Sequence, residues 1–137
     1  LKKDLKFHIA FILFCALIFI ESSFPSDSYP DLDFEFSDKL IHIGIYFVLA
    51  FLAYLSFIHQ DKYTLLNKKA YLFTVIFTVI YGASDELHQF FVPGRSCDVF
   101  DWIADVIGAI LAVLAIILLK KLFKKYNTIL KSEYDTN

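Results

Sequence analysis

Four long apolar runs alternate with polar stretches along this chain, and the interruptions are as informative as the runs. The first extends from Phe7 to Ile20 with His8 as its polar side chain. The second covers Leu40 to Ile58 and is broken near its start by His42. The third begins at Ala70, is apolar to Ala83, and continues to Val92 with Asp85, Glu86, His88 and Gln89 embedded in it. The fourth, Trp102 to Leu119, contains one charge, Asp105. Runs of about 20 apolar residues match a helix crossing a hydrocarbon core of about 30 Å. The pattern therefore predicts helices over about 5–22, 39–58, 70–92 and 101–119, with Pro93-Gly94 as the turn closing the third. Residues 23–38 read as an acidic loop, and 120–137 as a polar tail that frays.

Composition turns this pattern into a class. The 137 residues are 58% hydrophobic, with sixteen Phe and eight Tyr. Soluble domains hold about 45–50% apolar residues, and a short chain has little interior in which to hide a surplus. A lone soluble globule and a disordered chain are both excluded. The formal charge of −2 argues against nucleic acid as a partner. What remains is an all-α, polytopic membrane protein: one membrane domain over 1–137, a bundle of four transmembrane helices whose first partner is the lipid bilayer.

Basic residues orient the bundle. With both termini cytoplasmic, eleven of the thirteen Lys and Arg fall inside, leaving Lys39 and Arg95 outside. The three inner segments agree, as the positive-inside rule requires. The basic start and the apolar run after it also resemble a signal peptide, but Glu21-Ser22-Ser23-Phe24-Pro25 offers no small-x-small cleavage site, so the run is read as a retained span. The loop that follows carries six carboxylates, Glu21, Asp27, Asp31, Asp33, Glu35 and Asp38, and no basic residue before Lys39.

In this topology the charged groups inside the apolar runs, His8 apart, all lie toward the outer side. Asp38, His42 and Tyr46 step by four along one face of the second helix. Tyr81, Asp85 and Gln89 do so on the third, with Glu86 beside them. Asp98, Asp101, Asp105 and Gly108 share a face of the fourth. Gly82 and Gly108 beside these stripes allow close helix approach. A carboxylate facing lipid costs about 2.5–3.5 kcal/mol or more, so the groups are expected to turn inward around an outward-opening pocket between the second, third and fourth helices. Six carboxylates there (Asp38, Asp85, Glu86, Asp98, Asp101 and Asp105) face two cations, Lys39 and Arg95. Protonation, the histidines with Arg95, or a bound divalent cation could compensate. Arg95, just after the turn, is sited to fork onto a carboxylate, a phosphate or a sugar acid.

These segments resemble a known family. Asp38-Lys39-Leu40-Ile41-His42 with Tyr46, the run from Tyr81 through Gln89 to Pro93-Gly94-Arg95, and Asp98 through Asp101 and Asp105 to Gly108 look like three successive signatures of the VanZ-like family of bacterial membrane proteins. Asp105 departs from the pattern, which has Asn there, and makes this pocket more acidic. The resemblance implies a helical, multi-pass protein of the bacterial cytoplasmic membrane. Through the founding member it also implies a link to low-level resistance to the glycopeptide teicoplanin, though no mechanism.

Three functions fit these residues. In the first, Asp38, Lys39, Tyr46, His88, Gln89, Arg95, Asp98, Asp101 and Asp105 bind a lipid-linked or cell-envelope ligand, or a glycopeptide. In the second, Glu86 or Asp85 with His42 performs acid–base chemistry as a membrane-embedded hydrolase or transferase. Ser84 and Ser96 are the nearby hydroxyls, and they read more simply as helix and loop groups. In the third, the polar groups form an interhelical lock in a structural subunit of an envelope complex. Histidines among carboxylates also suit a metal, although Asp85-Glu86-Leu87-His88 is not a zinc-helix motif. Cys15 in mid-membrane and Cys97 in an outer loop are too far apart in depth to pair, and His8 reads as an interfacial side chain.

Overall fold

The computed structural model describes residues 4–25 and 37–135. Most of the acidic loop, including Asp27, Asp31, Asp33 and Glu35, lies outside the described residues, as do Lys2 and Lys3. The described residues form helices with no strand: α1 (Leu5–Ser22), α2 (Ser37–Ile58), a short α3 (Thr64–Lys68), α4 (Ala70–Gln89) and α5 (Val99–Asp135). Four of these, all but α3, are long and apolar enough to cross a membrane. Their outward sides carry Leu, Ile, Val and Phe in the open, among them Ile12, Leu13, Leu17, Ile80 and Leu114. Such a surface suits lipid and would be an aggregation hazard in water.

Two helix ends and one connector differ from the pattern-based expectation, each for a local reason. α4 stops at Gln89, three residues early, because Pro93 disfavours helical backbone just before it. The chain tightens instead, with the Phe91 and Val92 amides donating to the His88 and Gln89 carbonyls at 3.0 and 2.9 Å. Gly94 then takes φ 76°, and the Arg95 amide closes the turn on the Val92 carbonyl at 3.1 Å. α5 does not fray at Leu119 but runs on to Asp135. Residues 120–135 contain neither Gly nor Pro, and the Lys and Leu among them are good helix formers. The polar connector 59–69 holds the single turn of α3, pinned where the Asn67 side-chain amide donates to the Ile58 carbonyl at 2.7 Å.

α2 is the central helix, packed most extensively on α5, then on α4 and α1. Its seam with α5 is built from small residues: Ala50, Ala109 and Ala112 are fully buried together. Gly108 sits directly on the α2 backbone, where even a Cβ atom would come within 3.0 Å of the Phe47 nitrogen. On its other side α2 presents Tyr46 and Leu49 to Ile18, with Phe11, Phe14, Phe77 and Tyr81 packed around them. Dispersion across such seams supplies much of the association energy of helices in lipid.

The helices alternate in direction, so their polar ends collect at opposite faces. At one face His8 Nδ1 meets the Ser56 hydroxyl at 2.8 Å, Phe7 stacks on His59 at 4.0 Å, and Lys120 bonds the Tyr54 hydroxyl beside Tyr71. His8 thus joins α1 to α2 rather than merely lying at the surface. At the opposite face the end of α1, the start of α2, the end of α4 and the start of α5 come together, and there the embedded carboxylates lie.

Candidate functional site

The helical stripes predicted from spacing converge where α2, α4 and α5 meet. At about 1.5 Å per residue, His42, Asp85 and Asp105 lie about 6–9 Å inside their helix ends. Each is held from a different element. His42 Nδ1 on α2 meets Asp105 Oδ1 on α5 at 2.9 Å. Asp85 Oδ2 on α4 accepts from the Tyr46 hydroxyl at 3.3 Å and from the Gln89 amide at 3.2 Å, with Ser22 of α1 also in reach. Glu86 Oε2 accepts from the Asp98 backbone amide at 2.8 Å, so a carboxylate of α4 fixes the entry to α5. Asp98 in turn accepts from the Phe100 amide at 2.8 Å, an N-cap contact that starts that helix.

Lys39 bridges the entrance. Its ammonium lies 2.5 Å from Asp101, 2.9 Å from Asp98 and 3.5 Å from Asp38. The Lys39 hydrogen bond, and then the Phe100 amide, hold the Asp98 carboxyl below its ordinary value. Exposure grades inward along this line, from 59% for the Asp38 side chain to 31% for Lys39, 10% for Asp101 and 0% for Asp105. Two oxygens at the inner end, Glu86 Oε1 and Asp105 Oδ2, are buried with no hydrogen-bond partner among the described residues. Gly82 makes room for the second: a Cβ there would stand 2.7 Å from Asp105 Oδ2 and 3.2 Å from the Tyr46 ring.

Two residues expected in this constellation are directed elsewhere. Arg95 Nη2 pairs with Glu21 at 3.4 Å, and its Nε donates to the Phe24 carbonyl at 3.2 Å, tying the turn after α4 to the end of α1. His88 Nε2 meets the Ser23 hydroxyl at 3.0 Å, and its ring stacks on Phe19 at 4.5 Å. Both therefore serve the α1–α4 contact, and Lys39 is the cation within the cluster. Sequence spacing pointed to three helices and overlooked the fourth contributor, Ser22 of α1. Its signal was the polar Glu21-Ser22-Ser23 step at the same depth.

A family model described as VanZ/LLP1 matches residues 7–120, a span that takes in every residue of the cluster. The chain belongs to the VanZ/LLP1 family. Comparison with the curated proteins and with the solved structures returned no match. The VanZ/LLP1 match reaches into all four apolar helices, from Phe7 in the first to Lys120 in the last, so the family's domain is the bundle itself and not an appendage of it.

Chemically, this VanZ/LLP1 site offers acceptors, one imidazole and one ammonium, graded from wet to dry. It can take hydroxyl or amine groups on its carboxylates and an anionic group on Lys39. The His42–Asp105 pair orients the imidazole as a carboxylate does beside a general base, with Glu86 close by. Ser84 is not a nucleophile of this site: it is exposed and donates to the Tyr81 carbonyl at 2.7 Å.

Proposed function

We propose that this VanZ/LLP1 protein uses the cluster as an outward-facing pocket for a lipid-linked cell-envelope ligand, with the tail in the bilayer and the polar head on the carboxylates, His42 and Lys39. One observation carries the reading: a graded polar entrance opens under a rim of exposed apolar side chains. Leu40, Leu87, Phe90, Phe91, Val99 and Phe100 all lie exposed at that end of the bundle. A rim of this kind anchors at the membrane interface and suits an amphiphile better than a free polar solute. Resistance to a glycopeptide such as teicoplanin would follow if the pocket binds the drug.

Native mass spectrometry of the protein extracted from its own membranes tests this. The wild type should retain an envelope lipid that Lys39→Met loses while remaining folded. Recovery of bulk phospholipid alone, equally in both, would sink the reading.

The oriented His42–Asp105 pair favours one second reading, a membrane-embedded hydrolase or transferase in which His42 and Glu86 move protons. Asp85 is the weaker candidate there, being engaged by Tyr46 and Gln89. Glu86→Gln separates the two: it would abolish turnover of the copurified lipid in the second reading and leave its binding intact.

A further inference from the structure

The inner end of the cluster is chemically incomplete. His42, Glu86 and Asp105 each offer one donor atom, all within 4.8 Å of one another, and all three side chains are buried. Glu86 Oε1 and Asp105 Oδ2 have no hydrogen-bond partner among the described residues. Each oxygen is anchored through its twin, Glu86 Oε2 by the Asp98 amide and Asp105 Oδ1 by His42. An unmatched carboxylate oxygen in an apolar bundle carries a large desolvation cost. Among the described residues no Lys or Arg pairs with these two oxygens: Lys39 pairs with Asp98 and Asp101, and Arg95 with Glu21.

We infer that His42, Glu86 and Asp105 form a binding site for one divalent transition-series cation. One imidazole and two carboxylates are the mixed nitrogen–oxygen donor set that zinc and manganese accept. A second grouping, Asp38, His42 and Asp101, shares the imidazole but is the weaker site. There the Lys39 ammonium already neutralises Asp101, and Asp38 is exposed to water. A cation at the inner site leaves the Lys39 entrance open, so it would present a Lewis-acidic centre at the base of the proposed pocket. This deepens the pocket reading and fails separately from it, since metal binding is measured with no lipid ligand present.

The test uses the full chain in detergent, stripped with a chelator and titrated with zinc or manganese alone. About one equivalent should bind, and Glu86→Gln and Asp105→Asn should each weaken binding by about tenfold or more, as changes around a metal commonly do. His59→Ala, at the opposite end of the bundle, should bind as the wild type does. Zinc-edge X-ray absorption of the wild type is the second measurement and does not depend on the variants folding. It should show a single imidazole in an otherwise oxygen shell. Lack of stoichiometric metal in protein with native helicity, undiminished binding in both carboxylate variants, or a shell with several imidazoles would each overturn the site.

Discussion

Replacing Gly108 by alanine adds one methyl group where α5 lies directly on the α2 backbone. The new carbon would press against the Ile43 carbonyl and stand 3.0 Å from the Phe47 nitrogen. Neither atom belongs to a flexible side chain, so the helices must separate. Overpacking of this kind costs about 1–3 kcal/mol, and a backbone neighbour places it in the upper half of that range. Alanine also gains up to about 1 kcal/mol of helix propensity over glycine, which offsets part of the cost. The net loss is therefore about 1–2 kcal/mol, a 5–30-fold fall in the folded-to-unfolded ratio. Gly44 supplies the control from the same seam helix: nothing lies within 4 Å of its would-be Cβ, so Gly44→Ala keeps the propensity gain without the clash. Trp102, the sole tryptophan, reports the result, because its indole N–H donates to the Val79 carbonyl of α4 at 3.0 Å. Its fluorescence through mixed-micelle unfolding should rank Gly44→Ala at or above wild type and Gly108→Ala below it. A Gly108→Ala protein as stable as the Gly44→Ala protein would refute the close-contact reasoning.

Further expectations follow from the same geometry. Asp105→Ala strips His42 of its buried partner and should cost about 3–5 kcal/mol, whereas Asp105→Asn keeps an acceptor and should cost about 1 kcal/mol; equal losses in the unfolding assay would show that the His42 contact is not what matters. Asp98 has its folded value held below the ordinary 3.8, so its contribution to the start of α5 is present above that pH and lost as pH falls below it. Hydrogen exchange at the Phe100 amide should therefore accelerate on acidification in the wild type and change less in Asp98→Asn, and identical acid profiles would count against the cap. Cys97 is exposed and Cys15 only part-buried within α1. An impermeant maleimide should label Cys97 in intact cells if the polar end faces outward; labelling that requires lysis would reverse the proposed orientation.

Much of the bundle was legible before any coordinates. Runs such as Leu40–Ile58 become helices because an unpaired backbone amide is intolerable in hydrocarbon, so run length translates almost directly into a span. Periodicity went further, placing Asp85 with Gln89, and Asp101 with Asp105, on single faces. The end of α4 was less legible, because the reach of Pro93 backwards into Val92 and Phe91 depends on turn geometry. The persistence of α5 past Leu119 was hidden by its lysines, which read as a solvated tail although their helix propensity is high.

Sequence by itself thus determined the number of long apolar helices, the position of the polar groups along each and the face each occupies, since hydropathy and the helical repeat are local properties. The tertiary structure alone decided which groups meet. Spacing orients a stripe on its own helix but says nothing of how that helix is rotated against its neighbours. That rotation, set by the Ala50, Gly108 and Ala112 seam, brings His42 onto Asp105 and Lys39 onto Asp101. The same packing sends Arg95 to Glu21 and leaves two buried carboxylate oxygens with no hydrogen-bond partner among the described residues.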